Sequence, residues 1–366
     1  MGERVVQLTG LRALSIAAVL VTHLWTYPEG YTFLNRIAAA GWLGVQLSFV
    51  LSGFLITKIL WRAREGSRYF VNFYARRSLR IFPLYYLVLA TVFLVLPLVI
   101  DIPAKLEESS WMYWLYLSNF AVATAGWQLF LTDVTWSLAV EEQFYLVWPA
   151  LVRRITRSQM IAFCLALIVL APIGRALLWS EANWMWIHMM MPLRADAFAV
   201  GALLIMLPQE KLRKYAAPVL MIGGAVLLTL ILTGNFSRKS MLGGTIGYSL
   251  VAFVAGAGLI MGMNAKAFTW KPLVHMGTVS YGIYLLHPFC LMLTSSLLAF
   301  AGLGGPGLLE SVMQVVVTGA VAVAVATVSY RLFESPILKL KRFFESNRTA
   351  PAPAAAVAIP SVVKEP

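Results

Sequence analysis

The run Leu8-Thr9-Gly10-Leu11-Arg12-Ala13-Leu14-Ser15-Ile16-Ala17-Ala18-Val19-Leu20-Val21-Thr22-His23-Leu24-Trp25-Thr26-Tyr27 decides the fold. It is as long as the roughly 20 residues a helix needs to cross the hydrocarbon core of a bilayer, and Arg12 and His23 interrupt its apolar character. Comparable runs recur at residues 41–61, 79–100, 136–152, 159–179, 192–207, 215–233, 243–263, 277–301 and 311–333. Hydrophobic residues make up 60% of the chain and charged residues 12%, with a mean hydropathy of +0.77. Soluble domains are far less apolar. Backbone amides in lipid must be satisfied within the segment, which favours helices, whereas a β-barrel would show short alternating segments. The expected fold is an all-α, polytopic transmembrane bundle of about ten spans. Arg4, the apolar run and Ala38-Ala39-Ala40-Gly41 outline a cleavable signal sequence. The length of the first run, its two ionisable residues and the many later spans favour an uncleaved helix instead.

The formal charge of +13 raises nucleic acid as a partner. However, the basic residues cluster beside apolar runs, where they set membrane orientation, so lipid is the expected partner and nucleic acid is not. Arg62, Arg64, Arg68, Arg76, Arg77 and Arg80 lie between or beside the second and third spans and place that connection, and hence the N-terminus, in the cytoplasm. Residues 111–131 are aromatic and partly apolar. If they crossed, Arg153, Arg154 and Arg157 would lie outside. If they do not cross, those three, the cluster Lys211, Arg213 and Lys214, and Lys339, Lys341 and Arg342 all fall inside. This stretch is therefore read as interfacial or re-entrant, with ten helices and both termini cytoplasmic. Residues 1–336 form the expected membrane domain, and residues 337–366, rich in Ala, Pro and Val from Thr349 onward, a largely disordered cytoplasmic tail. Cys164 and Cys290 each stand alone in an apolar run, so two free buried thiols and no metal site are expected.

A charge inside a bilayer costs at least about 2.5–3.5 kcal/mol on insertion scales, which makes intramembrane ionisable groups functional candidates. Arg12 and His23 are eleven residues apart, almost a whole number of turns, and share one helix face roughly 16 Å apart. Arg12 also suits a snorkelling anchor, and His23 an interfacial position beside Trp25 and Tyr27. A histidine with a carboxylate neighbour can take a proton from a hydroxyl. By the expected topology Glu141 and Glu142 share the outer half of the membrane with His23. They point about 100° apart, so one is the candidate catalytic or orienting group and the other structural. Arg194 and Asp196 open the sixth span, where a mutual ion pair is expected. Gly44, Ser48 and Ser52, at four-residue spacing, suit a close helix contact, and His287-Pro288 marks a kink with an internal hydrogen bond. Arg76, Arg77 and Arg80 suit a phosphate clamp, although by themselves they are better read as contacts to lipid headgroups that set membrane orientation.

These residues resemble a family. Leu8-Thr9-Gly10-Leu11-Arg12-Ala13-Leu14 leading to His23 resembles the first-helix signature of acyltransferase-3 proteins. Phe49-Val50-Leu51-Ser52-Gly53-Phe54-Leu55-Ile56, Arg76-Arg77-Ser78-Leu79-Arg80-Ile81-Phe82-Pro83 and Trp136-Ser137-Leu138 through Glu141-Glu142-Gln143-Phe144-Tyr145 resemble further blocks of that family. Ser280-Tyr281-Gly282-Ile283-Tyr284-Leu285-Leu286-His287 and Phe333-Glu334-Ser335-Pro336 resemble its C-terminal helices. The resemblance implies a bacterial inner-membrane enzyme that moves an acyl group, commonly acetyl, from acetyl-CoA or another acyl-CoA to a hydroxyl of a carbohydrate or other cell-envelope or secreted acceptor. It needs no bound cofactor. His23, as general base or acyl carrier, Glu142 and Glu141 are the expected catalytic residues. Arg12, Arg76, Arg77, Arg80, Ser52, Trp136, Arg194 and Asp196 are the expected substrate-binding residues. Many members carry a soluble hydrolase-like domain after the last helix; here acceptor handling is expected within the membrane domain. A transporter or exporter of polysaccharide or lipid precursors is the alternative, since transporters also hold buried ionisable groups.

Overall fold

The apolar runs fold as helices: in the computed structural model, which describes residues 6–344, every regular element is helical. They are α1 (Val6–Leu24), α2 (Thr32–Ala39), α3 (Leu43–Ala63), α4 (Tyr69–Ala90), α5 (Ala104–Glu108), α6 (Ser110–Trp114), α7 (Ser118–Ala125), α8 (Phe130–Asp133) and α9 (Trp136–Arg154). There follow α10 (Arg157–Leu178), α11 (Trp184–Met189), α12 (Ala195–Met206), α13 (Gln209–Leu232), α14 (Tyr248–Gly262), α15 (Lys271–Thr278), α16 (Ser280–Phe300), α17 (Leu308–Ser329) and α18 (Ser335–Leu338).

Eight helical stretches among the described residues are long and apolar enough to cross a membrane: Val6–Leu24, Thr32–Ala63, Tyr69–Leu98, Arg157–Leu178, Gln209–Leu232, Gly243–Gly262, Ser280–Phe300 and Leu308–Phe344. They coincide with eight of the ten runs read from the sequence, and the protein is a polytopic membrane bundle. The other two runs differ in kind. Helix α9 is 19 residues long but carries Glu141, Glu142, Arg153 and Arg154. Helix α12 has only 12 residues, or about 18 Å at 1.5 Å per residue, against a hydrocarbon core of about 30 Å. All its residues but Ile205 are buried, so it is a core helix surrounded by protein. Residues 111–131 break into α6, α7 and α8, interrupted at Tyr116 and Gly126, both with positive φ. No single helix crosses there, as the charge distribution requires. The expected tail starts later than residue 337: α18 and a further helical segment, Lys339–Phe344, pack against α4. The rest of that tail, from residue 345, lies outside the described residues.

Lipid-facing and core helices differ in what they bury. Helix α10 buries only Met160, Cys164, Ala171 and Arg175, and α13 only Ala216 and Leu227, leaving apolar flanks such as Leu177 outward. Helices α3 and α12 form the tightest pair. A Cβ on Gly53 would meet the carbonyl of Phe198, and one on Gly201 the carbonyl of Val50, so the two backbones meet where only glycine fits. The expected contact of Gly44 and Ser48 forms against α1, where Ser15 Oγ donates to the Gly44 carbonyl and lies 2.8 Å from Ser48 Oγ. Both cysteines are free and buried, as expected.

The expected Arg194–Asp196 pair does not form. Residues two apart on a helical turn point to opposite sides. Asp196 Oδ2 instead pairs at 2.8 Å with Arg175 of α10 and accepts from Ser249 of α14 at 2.6 Å, both charges being fully buried. Arg175 also donates through Nε to the Thr245 carbonyl at 2.8 Å. Arg194 turns the other way, to Gln46 Oε1 and to the His188 carbonyl, with its guanidinium 3.9 Å from the Tyr248 ring centroid. These groups lock α10, α12, α14 and α3 together.

Two measurements check this packing. Gly53→Ala should destabilise the detergent-solubilised protein by about 1–3 kcal/mol, while Gly224→Ala, whose added methyl meets nothing within 4 Å, should leave the melting temperature in place. Asp196→Asn leaves Arg175 buried without a counter-charge and should cost about 3–5 kcal/mol, seen as the same kind of melting shift.

Candidate active site

Helix α1 is the column of the site. It contacts α3, α15, α16 and α17, and the face that carries Arg12 also presents Ser15 and Val19 to an internal cavity of about 130 Å³. At one end of the cavity three half-buried arginines converge: Arg12 from α1, and Arg77 and Arg80, one turn apart on α4. Arg12 lies in the electrostatic range of both and of Glu141. The outward rotation of α4 leaves Arg76 exposed, so the expected three-arginine clamp of α4 reduces to Arg77 and Arg80, with Arg12 as the third member. Lys341 adds positive charge near all three arginines of α4.

The one carboxylate on the cavity wall is Glu141, and both of its oxygens are occupied. Ser52 Oγ donates to Oε1 at 3.0 Å, and the Tyr145 hydroxyl donates to Oε2 at 2.9 Å from one turn further along α9. Arg77 lies over the Tyr145 ring, 5.3 Å from its centroid. On the cavity wall three guanidinium groups face one hydrogen-bonded carboxylate, with Glu142 in range of Arg77 and Glu334 in range of Arg80 behind the wall, so the surface turned to the cavity is the one that suits an anion.

Beyond the cavity lies His23, one turn along α1 from Val19. Its Nδ1 is 2.9 Å from His287 Nε2, and the two rings are parallel within 7° with centroids 5.1 Å apart, the geometry of an edge-to-edge, in-plane hydrogen bond. Phe130 closes on both imidazoles edge-on, with centroids at 5.0 and 5.6 Å. Below His287, Tyr284 lines the cavity, donates its hydroxyl to the Val134 carbonyl at 2.7 Å and accepts from Ser137 Oγ at 2.7 Å.

The expected His23–glutamate pair is therefore corrected: the ring partner of His23 is His287. The residues 111–131 region occupies the level of His23, through Phe130 of α8, so α9 begins below it and brings Glu141 in beside the arginines. Glu142 is not on the cavity wall; it lies in range of Arg77, Tyr86, Tyr116 and Tyr281, and its Oε1 is buried with no hydrogen-bond partner among the described residues. Trp136 is not on the cavity wall either. It is buried against His188, with ring centroids 4.6 Å apart, while its neighbour Ser137 faces the cavity. Arg194 and Asp196 stay in the structural cluster described above. Of the expected residues, Arg12, Ser52, Arg77, Arg80 and Glu141 share the cavity, and His23 stands at its far end. Ser15 had no distinguishing feature in the sequence, and Tyr145, Tyr281, Tyr284 and Glu334, the last a buried carboxylate in range of Arg80, stood there only within the family blocks with no role attached. A carboxylate followed by Ser-Pro at the end of an apolar run was the available signal for the last.

The family model described as "Acyltransferase domain" matches residues 5–331. Among curated proteins, the chain is 31% identical over 373 residues to peptidoglycan O-acetyltransferase OatA of Listeria monocytogenes, covering 90% of this chain and 55% of the relative. It is 26% identical to the putative peptidoglycan O-acetyltransferase YrhL of Bacillus subtilis, covering 90% and 54%, and 25% identical to O-acetyltransferase OatA of Staphylococcus aureus, covering 91% and 57%. The chain thus spans about half the length of the curated relatives it matches. No solved structure matches it. A family match that runs from before Arg12 to within the last long helix covers the whole cavity and the histidine pair, and on it the chain belongs to the acyltransferase-3 family.

Proposed function

We propose that this protein is an O-acyltransferase of the bacterial inner membrane that moves an acetyl group from acetyl-CoA to a hydroxyl of a cell-envelope carbohydrate. What carries the reading is the order of groups along the face of α1: arginines at one end, a narrow cavity between, and a half-buried histidine at the other. Coenzyme A is cytosolic and polyanionic. With both termini in the cytoplasm, Arg12, Arg77 and Arg80 face the side where it is found, and guanidinium groups suit its phosphates. The nucleotide is placed at the arginines and the slender thioester end of the donor in the cavity beyond them. His23 then lies toward the outer face, where a carbohydrate acceptor of the kind named for the relatives is found.

The chemistry is that of a general base. His23 takes the proton of the acceptor hydroxyl as its oxygen attacks the thioester carbonyl carbon. The carbon–sulfur bond breaks, and the leaving thiolate takes the proton back from the imidazolium. Glu141 does not take part as a base in this reading. Held by Ser52 and Tyr145, it balances part of the arginine charge and keeps Arg12 and Arg77 oriented.

The test uses purified protein in nanodiscs with acetyl-labelled acetyl-CoA and a bacterial glycan extract. His23→Ala should lower label transfer by about a hundredfold or more, with the melting temperature unchanged. Arg80→Ala should raise KM for acetyl-CoA by about tenfold with little change in kcat, since it removes binding that is uniform along the reaction. Full activity in His23→Ala would overturn the base, and no turnover with any of several acyl-CoAs would shift the reading to transport.

A further inference from the structure

We infer that His287 is a positioning residue that fixes the tautomer of His23 and so leaves His23 Nε2 as the unprotonated, proton-accepting nitrogen. Pro288 lies inside α16. A proline inside a helix has no N–H to donate, so the carbonyl four residues before it loses its helical partner. In α16 that carbonyl belongs to Tyr284, and His287 Nδ1 fills the place, 2.8 Å from the Tyr284 oxygen and 3.1 Å from that of Ile283.

Carbonyl oxygens only accept, so His287 Nδ1 carries the proton. A neutral imidazole has one N–H, and His287 Nε2 is then a bare acceptor. The ring nitrogen facing it at 2.9 Å is His23 Nδ1, which must be the donor. His23 therefore holds its single proton on Nδ1, and its Nε2 keeps the lone pair. That nitrogen has no hydrogen-bond partner among the described residues, and the residue as a whole is half-buried. His287 is fully buried, and Phe130 packs edge-on against both rings, so neither is free to flip. A carboxylate commonly orients a catalytic histidine in this way; here a backbone carbonyl released by a proline acts through a second imidazole.

The inference rests on the reading of His23 as the base, and two separate measurements keep them apart. The first needs no substrate: nitrogen-15 NMR of histidine-labelled protein at about pH 8, above the ordinary histidine pKa of about 6.5. The chain has four histidines, and those at 23 and 287 are assigned by signal loss in His23→Ala and His287→Gln. Both should appear as Nδ1–H tautomers; an Nε2–H signal for His23 would overturn the inference. The second measures acetyl transfer from acetyl-CoA to the glycan extract. His287→Ala should lower kcat by about tenfold or more with KM for acetyl-CoA unchanged. His287→Gln, whose amide oxygen can accept from His23 Nδ1, should return to within about threefold of wild type. Equal losses in the two variants, or full kcat in His287→Ala, would overturn the positioning role even if His23→Ala is inactive. An active His23→Ala would sink the base alone and leave the tautomer result standing.

Discussion

In the interior of a bilayer there is no water to complete a hydrogen bond, so each polar group must find its partner within the protein. Most of this molecule's architecture follows from that constraint. It turns the apolar runs into helices. It also draws Asp196 to Arg175 and Ser249, the two oxygens of Glu141 to Ser52 and Tyr145, and the Tyr284 carbonyl freed by Pro288 to His287. The pairs of Asp196 with Arg175 and Ser249, and of Glu141 with Ser52, also tie helices together. Gly44 lets α3 approach α1 closely enough for Ser48 to reach Ser15, while Gly53 and Gly201 do the same for the backbones of α3 and α12.

The same constraint separates the two kinds of charge in the bundle. Arg175 and Asp196 are fully buried and fully paired, which makes them structural. Arg12, Arg77 and Arg80 are half-buried, face a cavity and outnumber the carboxylate on its wall. An excess of one sign around an open space is what a bound ion of the other sign would neutralise. The histidine pair is different again, uncharged in its neutral form and held by nitrogen-to-nitrogen contact in an aromatic setting suited to proton transfer.

Much of this was legible in the sequence, for physical reasons that can be named. The shared face of Arg12 and His23 follows from helical periodicity alone, and the failure of residues 111–131 to cross follows from where the arginines sit. The contact at Gly44 and Ser48 follows from spacing. Partner identity was less legible. Arg194 and Asp196 are near neighbours in sequence but two residues apart on a turn, and their partners come from α3, α10, α11 and α14, which no local pattern reveals. The level of Glu141 was misread because α8 occupies the depth that a full-length fourth span would have filled. For the same reason the histidine partner was sought among glutamates, although His287-Pro288 already stood out as a kink.

The central claim is that one cavity receives an acyl-CoA at the arginines and delivers its acyl group toward His23. The most direct measurement is a cryo-EM structure of the purified protein with a ketone analogue of acetyl-CoA that cannot be cleaved. The account predicts phosphate density within hydrogen-bonding distance of Arg77 and Arg80, with the ketone arm running along α1 past Ser15 toward His23. An analogue seated elsewhere, or an arm that ends away from the cavity, would contradict it.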